Sequence, residues 1–293
     1  LFITIMGLGV FSSGGINTPF RSATTTPQAK FLDFYTQAST EESRYDSYWL
    51  KCNTYASLNN TGTLTTDPIC VTPQSTKGGV FLWGDSHAES LSLGIRSLLT
   101  PMGVPFYQKT SAGCHASLIQ TTMKIAMFKK SCDHSNQVAI ESIAKLKPKL
   151  VIIAQAHGHD KNHWEAIISR LKSIGVESIL LVGPVSQWTP SLPKVIIKPR
   201  NWNNNDLFIN DPGLDISIIE LESNIKHILP LSGMKYISLI DQLCLVRDGK
   251  YFCKVKLESG ELLQVDYGHL SDEGSIFVVN EILADEVKKL LAD

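Results

Sequence analysis

The sequence predicts an α/β fold in which a central parallel sheet is covered by helices on both faces. Two short segments, Leu150–Ala154 and Ser178–Val182, are almost wholly apolar, as are strands buried on both faces of a sheet. Segments with helical spacing of apolar residues separate such runs, which is typical of parallel strands joined by helices. The chain has 293 residues, of which 43% are hydrophobic, so it is long enough to bury a large core.

Short apolar runs predict five strands. The first run ends in Gly84, where the chain can leave the strand in a sharp turn. The third run, LVIIA, has the composition of a fully buried strand. The predicted strands are Gly79–Gly84, Val104–Tyr107, Leu150–Ala154, Ser178–Val182 and Tyr236–Ile240.

The predicted helices follow from apolar periodicity and from helix-ending residues. Leu91, Ile95 and Leu98 recur with helical spacing. Pro148 stops one helix, and Gly175 follows another in the usual C-terminal position. The predicted helices are Ser86–Leu99, Asn136–Leu146, Trp164–Ile174, Asp215–Leu229 and Asp272–Leu291.

The first part of the chain differs in composition from the rest. Leu1–Val10 is apolar but too short to span a bilayer, so it is either the tail of a membrane helix or a short buried segment. Ser12–Gln28 has linker composition, and Lys30–Thr76 is rich in aromatic and then in polar residues, which predicts an ordered but irregular extension. Within the later part, Asn201–Pro212 is expected to form a long surface loop.

The charge balance argues against nucleic acid as a partner. The 27 Lys and Arg residues nearly balance the 28 Asp and Glu residues, and the net charge is −1. A surface that binds DNA or RNA needs an excess of basic residues to meet the phosphates.

Six cysteines occur in three local pairs without a CxxC or zinc-site spacing. Proximity favours three disulfides and an oxidising compartment. Other connectivities stay open, as does the alternative of six buried thiols in a cytosolic protein. The predicted disulfides are Cys52–Cys70, Cys114–Cys132 and Cys244–Cys253.

The motif WGDSHA places Ser86 where the first strand meets the first helix. The carboxyl edge of a parallel sheet is where such folds bind ligands, and the start of a helix offers backbone N–H groups to a developing oxyanion. A serine in this position is therefore a candidate nucleophile. The alternative is that Ser86 only caps the helix.

The motif DYGHLS before the last helix places Asp266 three residues before His269. A carboxylate at this spacing can fix the tautomer of the imidazole and stabilise its protonated form. A serine nucleophile needs such a base, because its hydroxyl is weak at neutral pH. Taken alone, the motif would more often be a surface loop.

The early GDS and the late DxxH together resemble the SGNH (GDSL-like) hydrolase family. The resemblance implies a flavodoxin-like three-layer sandwich over residues 78–293, with Ser86, Asp266 and His269 as the catalytic triad. It also implies an oxyanion hole formed by the N–H of Ser86 and that of Gly113, after the second strand. The family places an Asn after the third strand, where this chain has Gln155 as the possible substitute.

The segments FLWGDSHA and DYGHLSDEGS also resemble SGNH domains fused to acyltransferase family 3 membrane modules, such as those of bacterial O-antigen acetyltransferases. This resemblance implies that residues 1–16 are the remnant of a last transmembrane helix and residues 17–77 a periplasmic linking extension. The domain would be the periplasmic part of an inner-membrane protein. It would bind no cofactor itself, and acetyl-CoA would be the ultimate acyl donor of the full-length protein.

The resemblance implies acyl transfer, most simply of acetyl, through Ser86 to a hydroxyl of a cell-surface sugar such as lipopolysaccharide O-antigen. A carbohydrate esterase or deacetylase with the same triad is the first alternative, and a non-catalytic glycan-binding domain is the second.

Two further residues, His157 and Trp188, are candidate sugar contacts near the cleft. His157 belongs to an HGHDKNH segment that could in principle bind a metal. We interpret this segment as a polar loop at the sheet edge, and no metal is expected.

Overall fold

The computed structural model describes residues 26–74, 78–229 and 233–292. The predicted membrane-helix remnant at 1–16 lies outside these residues. Across the described ranges, no helix combines the length and apolar character that a membrane span requires.

The predicted α/β sandwich is confirmed: five parallel strands form a central sheet in the order β2-β1-β3-β4-β6. The chain builds outward from β1 to β2 and then returns to place β3 on the other side of β1. Such a reversal opens a crevice at the carboxyl ends of the two strands. The strands are β1 Val80–Gly84, β2 Phe106–Thr110, β3 Leu150–Ala154, β4 Ser178–Val182 and β6 Lys235–Ile237.

Helices cover both faces of this sheet. Alternate residues of each strand enter two separate cores, so that Leu82 and Ile152 lie in one and Phe81 and Ile153 in the other. The helices are α1 Pro27–Ala38, α2 Glu41–Arg44, α3 Thr54–Thr61, α4 Ser86–Glu89, α5 Ser92–Leu99, α6 Ala126–Leu146, α7 Trp164–Ser173, α8 Leu192–Ile196, α9 Pro199–Trp202, α10 Ile216–Ile228, α11 Leu239–Leu243, α12 Asp272–Val278 and α13 Ala284–Ala292.

Three predicted helices differ in extent from those observed. The predicted helix Ser86–Leu99 is two helices, α4 and α5, and α6 begins ten residues earlier than predicted, at Ala126. The terminal helix is interrupted by a π-helical turn, Val279–Leu283, between α12 and α13. The early turns of α6 were missed because their apolar periodicity is weak: of the ten added residues, only Ala126, Met127, Phe128 and Cys132 are apolar.

The expected long loop at Asn201–Pro212 is interrupted by regular structure. It contains the end of α9 and a short strand, β5 Phe208–Ile209, which pairs antiparallel with β8 Lys250–Lys254. The other side of β8 pairs with β7 Cys244–Arg247 in a three-stranded sheet. These strands lack a wholly apolar run, because much of this small sheet faces solvent.

The predicted strand Tyr236–Ile240 is also corrected. Strand β6 ends at Ile237, and Ser238 caps the short helix α11 by accepting a hydrogen bond from the N–H of Asp241. A serine before a short apolar segment is a helix-start signal that competes with the strand pattern.

The structure contains three disulfides, with the pairing expected from proximity. One of them joins the adjacent strands β7 and β8. Another ties the loop after β2 to α6. They are Cys52–Cys70, Cys114–Cys132 and Cys244–Cys253.

The central strand provides a direct test of the core. Ile152 of β3 is 0% exposed, so we expect Ile152→Ala to lower the free energy of unfolding by about 2–5 kcal/mol through lost burial and a residual cavity. Ile119 is 63% exposed, so Ile119→Ala is the matched control, with an expected change within about 0.5 kcal/mol. Urea denaturation measures both changes, and equal losses would contradict the described core.

Candidate active site

The backbone at the end of β1 fixes the position of Ser86. Gly84 has φ +153, and a Cβ atom there would lie 1.8 Å from the carbonyl oxygen of Ala154 on β3. Only glycine allows this close approach. Asp85 follows as the N-cap of α4, with Oδ1 accepting the N–H of His87 at 2.8 Å. Ser86 is the first residue of that helix and stands at the crevice between β1 and β3.

Asp85 also ties the two strand ends together. Its Oδ2 atom accepts the N–H of Ala156, which follows β3, at 2.8 Å. Burial raises the pKa of Asp85 to about 6, although the N–H groups of Ala156 and His87 act in the opposite direction. The buried carboxyl therefore holds the loops after β1 and β3 in a fixed relation.

The structure brings Ser86, His269 and Asp266 into one hydrogen-bonded row. Ser86 Oγ lies 2.8 Å from His269 Nε2, and His269 Nδ1 lies 2.7 Å from Asp266 Oδ2. A carboxylate only accepts hydrogen bonds, so Nδ1 carries the ring hydrogen. Nε2 is then the acceptor that faces the hydroxyl of Ser86.

Asp266 is held in its ionised form. Its Oδ1 atom accepts the N–H groups of Gly268 at 3.0 Å and of His269 at 2.9 Å. Burial alone would raise the pKa of Asp266, but the hydrogen bond from His269 and these backbone donors hold it well below its ordinary value. The carboxylate therefore stays charged at neutral pH and can stabilise a protonated His269.

The loop after β2 presents Gly113 at the same edge of the sheet. The N–H of Ser111 donates to the carbonyl of Gly84 at 3.2 Å, so this loop begins beside the end of β1. Gly113 is exposed and has φ +65, in the left-handed region that favours glycine. Within the described part of the chain, its N–H has no hydrogen-bond acceptor. It is a candidate oxyanion donor beside the N–H of Ser86.

Gln155 braces a loop. Its side chain is buried, Nε2 donates to the carbonyl of His157 at 2.7 Å, and Oε1 accepts from Asn162 Nδ2 at 3.1 Å. These contacts fix the turn that follows β3, and they differ from the expected role of a free side-chain oxyanion donor.

The two candidate sugar contacts lie in different environments. His157 is exposed on the loop after β3, where a ligand could reach it. Trp188 is 1% exposed and packs in the core, with Nε1 donating to Gln264 Oε1 at 3.0 Å. Its indole faces are covered by protein, so the expectation that Trp188 stacks on a sugar is corrected.

The HGHDKNH segment is partly buried. His159 is fully buried, and its carbonyl accepts the indole N–H of Trp164 at 2.7 Å. Among residues 26–74, 78–229 and 233–292, no three His, Cys, Asp or Glu side chains are arranged to hold a metal ion.

Two side chains beside His269 are not among the predicted site residues: His87, interpreted from the sequence as a packing residue, and Tyr267. The ring of His87 lies 4.8 Å from that of His269, and the ring of Tyr267 lies 5.1 Å from it. His87 Nε2 is 3.3 Å from the hydroxyl of Tyr267. Burial, and then the charge of His269, keep the pKa of His87 well below its ordinary value. Tyr267 lies inside the DYGH motif, and this position could have predicted that it contacts His269.

Glu89, at the end of α4, is a second buried carboxyl near Ser86. Its Oε1 atom has no hydrogen-bond partner among the described residues. Burial raises the pKa of Glu89 to about 8, against the effect of hydrogen bonds from Thr110 and Asn53. The folded protein therefore holds Glu89 protonated at neutral pH.

This proton makes stability depend on pH. Between the ordinary pKa of a glutamate, 4.5, and the folded value of about 8, only the folded protein keeps Glu89 protonated. Stability contributed by this proton is present below pH 4.5 and is lost as the pH rises towards 8, by at most about 1.4 kcal/mol per pH unit. We expect Glu89→Gln to remove this slope.

Urea denaturation at pH 5, 6.5 and 8 measures the Glu89 effect. Glu165 is exposed on α7, and Glu165→Gln is the matched control, with a pH dependence parallel to that of the unmodified protein. Parallel curves for Glu89→Gln and the unmodified protein would contradict the buried protonated state.

A three-layer α/β domain with a Ser–His–Asp row at the switch point of its parallel sheet has the architecture of the SGNH class. Within this class, the chain belongs to the family of SGNH domains fused to AT3 domains, whose family model matches residues 51–284. The matched range includes Ser86, Asp266 and His269.

A solved structure has a similar fold: the periplasmic domain of a Salmonella ser. Paratyphi A lipopolysaccharide acetyltransferase. The two chains are 20% identical, with a TM-score of 0.66 over 90% of this chain and 99% of that chain. A sequence comparison with curated proteins finds no significant match.

Proposed function

We propose that this domain accepts an acyl group on Ser86 and transfers it to a hydroxyl of a cell-surface carbohydrate. The observation that carries the proposal is the row from Ser86 Oγ through His269 to Asp266, with separations of 2.8 and 2.7 Å. Membership of a family fused to AT3 domains supports a membrane acyltransferase module in the same chain as the partner.

In the first half of the reaction, His269 Nε2 takes the proton of the Ser86 hydroxyl as Oγ attacks the acyl carbonyl. Asp266 stabilises the imidazolium that forms, because its carboxylate stays ionised. The leaving group departs with the proton from Nε2, and an acyl-serine remains. In the second half, Nε2 takes the proton of the acceptor hydroxyl as its oxygen attacks the acyl-serine. The bond from the acyl carbon to Oγ then breaks, and Nε2 returns the proton to Oγ, which restores Ser86.

Two backbone N–H groups are proposed to hold the oxyanion in both halves. The N–H of Ser86, at the first position of α4, has no acceptor within the helix. The N–H of Gly113 approaches from the loop that begins beside Gly84. Donors placed in advance stabilise the developing charge at little reorganisation cost.

The proposed acyl group, acceptor and compartment are supported by the similar Salmonella domain and by the disulfides. The Salmonella domain is part of a lipopolysaccharide acetyltransferase and is periplasmic, which supports acetyl as the group, a surface glycan as the acceptor and the periplasm as the compartment. Three disulfides are consistent with an oxidising compartment. The ultimate donor would be acetyl-CoA, used by the membrane module, while the domain itself uses only its own side chains. His157, exposed beside the crevice, is the proposed sugar contact.

The triad is tested by substitution and hydrolysis of p-nitrophenyl acetate. We expect Ser86→Ala and His269→Ala to lower kcat/KM by roughly 10⁴-fold or more, and Asp266→Asn by roughly 10³- to 10⁴-fold. Ser173 is exposed on α7, and Ser173→Ala is the control that keeps full activity. A fluorophosphonate probe should label Ser86 alone. Unchanged turnover by Ser86→Ala would exclude the acyl-serine.

Transfer is separated from hydrolysis by the products. In cells that carry the full-length protein, Ser86→Ala should abolish O-acetylation of the surface glycan, as seen by NMR of the isolated polysaccharide. Retained acetylation would overturn the transfer role. If the purified protein instead releases acetate from an already acetylated glycan and never acetylates one, the esterase alternative is correct.

A further inference from the structure

The geometry points to Arg44, in the linking extension, as a positioning residue for the triad. We infer that Arg44 holds the carboxylate of Asp266 at the oxygen that also faces His269, so that the triad reaches its working state only with the extension docked. This inference rests on the proposed function and adds a residue far from both site motifs.

The contact is made to the atom of Asp266 that also faces the imidazole. Arg44 Nη1 lies 3.7 Å from Oδ2, the oxygen that accepts the Nδ1–H of His269. The other carboxylate oxygen is occupied by backbone N–H groups. The Arg44 side chain is only 17% exposed, so water screens this ion pair less than a surface pair.

The guanidinium of Arg44 is held in place by its own segment. Its Nε donates to the carbonyl of Thr40 at 3.4 Å, and its Cζ lies 5.1 Å from the centre of the Tyr48 ring. Tyr48 is buried, its hydroxyl donates to the carbonyl of Leu270, and its ring lies 6.4 Å from that of His269. Arg44 and Tyr48 therefore contact both ends of the segment that carries the triad acid and base.

Further contacts dock the same extension. The N–H of Leu262 donates to the hydroxyl of Tyr35 at 2.9 Å, ahead of the Asp266 segment. Arg96 of α5 donates to the carbonyls of Asp46 and Ser47 at 2.7 and 2.8 Å. Arg96 thus secures the chain just after Arg44, but makes no ion pair with Asp266. A substitution of Arg96 can therefore test the docking of the extension while the positive charge of Arg44 is kept.

The charge of Arg44 has a definite effect on the base. A positive charge near Asp266 favours the ionised carboxylate and disfavours a second positive charge on the nearby His269. Removing it should let the imidazole keep its proton to a higher pH. The other titratable groups around His269 are His87, Tyr267 and Tyr48, whose rings lie near its own, and the acids Asp85 and Asp266. Asp272 interacts with Tyr48.

The test is the pH profile of p-nitrophenyl acetate hydrolysis by Arg44→Gln and Arg44→Lys. For Arg44→Gln we expect the acid limb of kcat/KM to move up by on the order of half a pH unit, with a several-fold loss on the plateau. Arg44→Lys keeps the charge and should restore the position of the limb, though not the full plateau. An acid limb of Arg44→Gln that coincides with that of the unmodified protein would overturn the inference.

Arg96→Gln is the matched control for loosened docking of the extension. It should lower the melting temperature and, at temperatures well below that of melting, where the extension stays docked, leave the acid limb in place. An equal shift of the limb in Arg96→Gln would show that the effect comes from docking alone and would overturn a specific role for Arg44.

A readout independent of turnover distinguishes the two proposals. The imidazole titration of His269, followed by NMR in the Ser86→Ala background, should show the same upward displacement on Arg44→Gln. If Ser86→Ala keeps esterase activity, the proposed function fails while this titration still tests Arg44. If the titration does not move, the inference fails while the triad can stand.

Discussion

The buried carboxylate of Asp85 is the contact on which the geometry of the site depends. It accepts one N–H from α4 and one from Ala156 in the loop after β3, and so joins the two strand ends between which the sheet changes direction. Gly84 allows β1 to approach β3 closely enough for this bridge. Ser86 directly follows the bridge, so its hydroxyl is placed by rigid backbone contacts and depends little on a mobile loop.

The other half of the site depends on a second, independent support. Asp266 and His269 lie on a loop between the small antiparallel region and α12, where no strand of the central sheet holds them. Backbone N–H groups orient Asp266 within that loop, and Tyr48 secures the carbonyl of Leu270 just beyond it. The N–H groups of Trp188 and Leu192 also donate to the carbonyls of Tyr267 and Asp266, and the extension adds to this support. The family model describes SGNH domains fused to AT3 domains, so under the proposed function the extension would link such a module to the triad.

The sequence predicted what depends on local pattern and missed what depends on distant contacts. Apolar runs located β1, β3 and β4 because strands buried on both faces must be apolar throughout. The motif around Ser86 predicted a serine at the carboxyl edge of the sheet. The resemblance to the SGNH family, carried by the two motifs together, implied that Asp266 and His269 join this serine in a triad. Cysteine pairing followed from proximity in the chain. The strands β5, β7 and β8 were not predicted because they are short and partly exposed.

The contact between Arg44 and Asp266 leaves no local signal in the sequence. An arginine at the end of a short helix is ordinary, and only the docked fold reveals the acid that it faces. Trp188 shows the converse error. An aromatic residue in a polar context suggests a sugar platform, yet its indole N–H finds a buried partner in Gln264 and the ring enters the core. Burial of polar side chains is a property of tertiary packing, which periodicity alone does not encode.

Three carboxyl groups near Ser86 show how surroundings divide their roles. Asp266 accepts hydrogen bonds from an imidazole and two backbone amides, and its pKa falls. Asp85 and Glu89 are more deeply enclosed, and burial raises their pKa to about 6 and about 8. Glu89 is protonated at neutral pH and adds no negative charge beside the oxyanion that develops near the same helix. Asp85 is mostly ionised at neutral pH, and its charge is used to accept backbone N–H groups at both strand ends. The net charge of −1 therefore says little about the site, where each carboxyl group has its own protonation state.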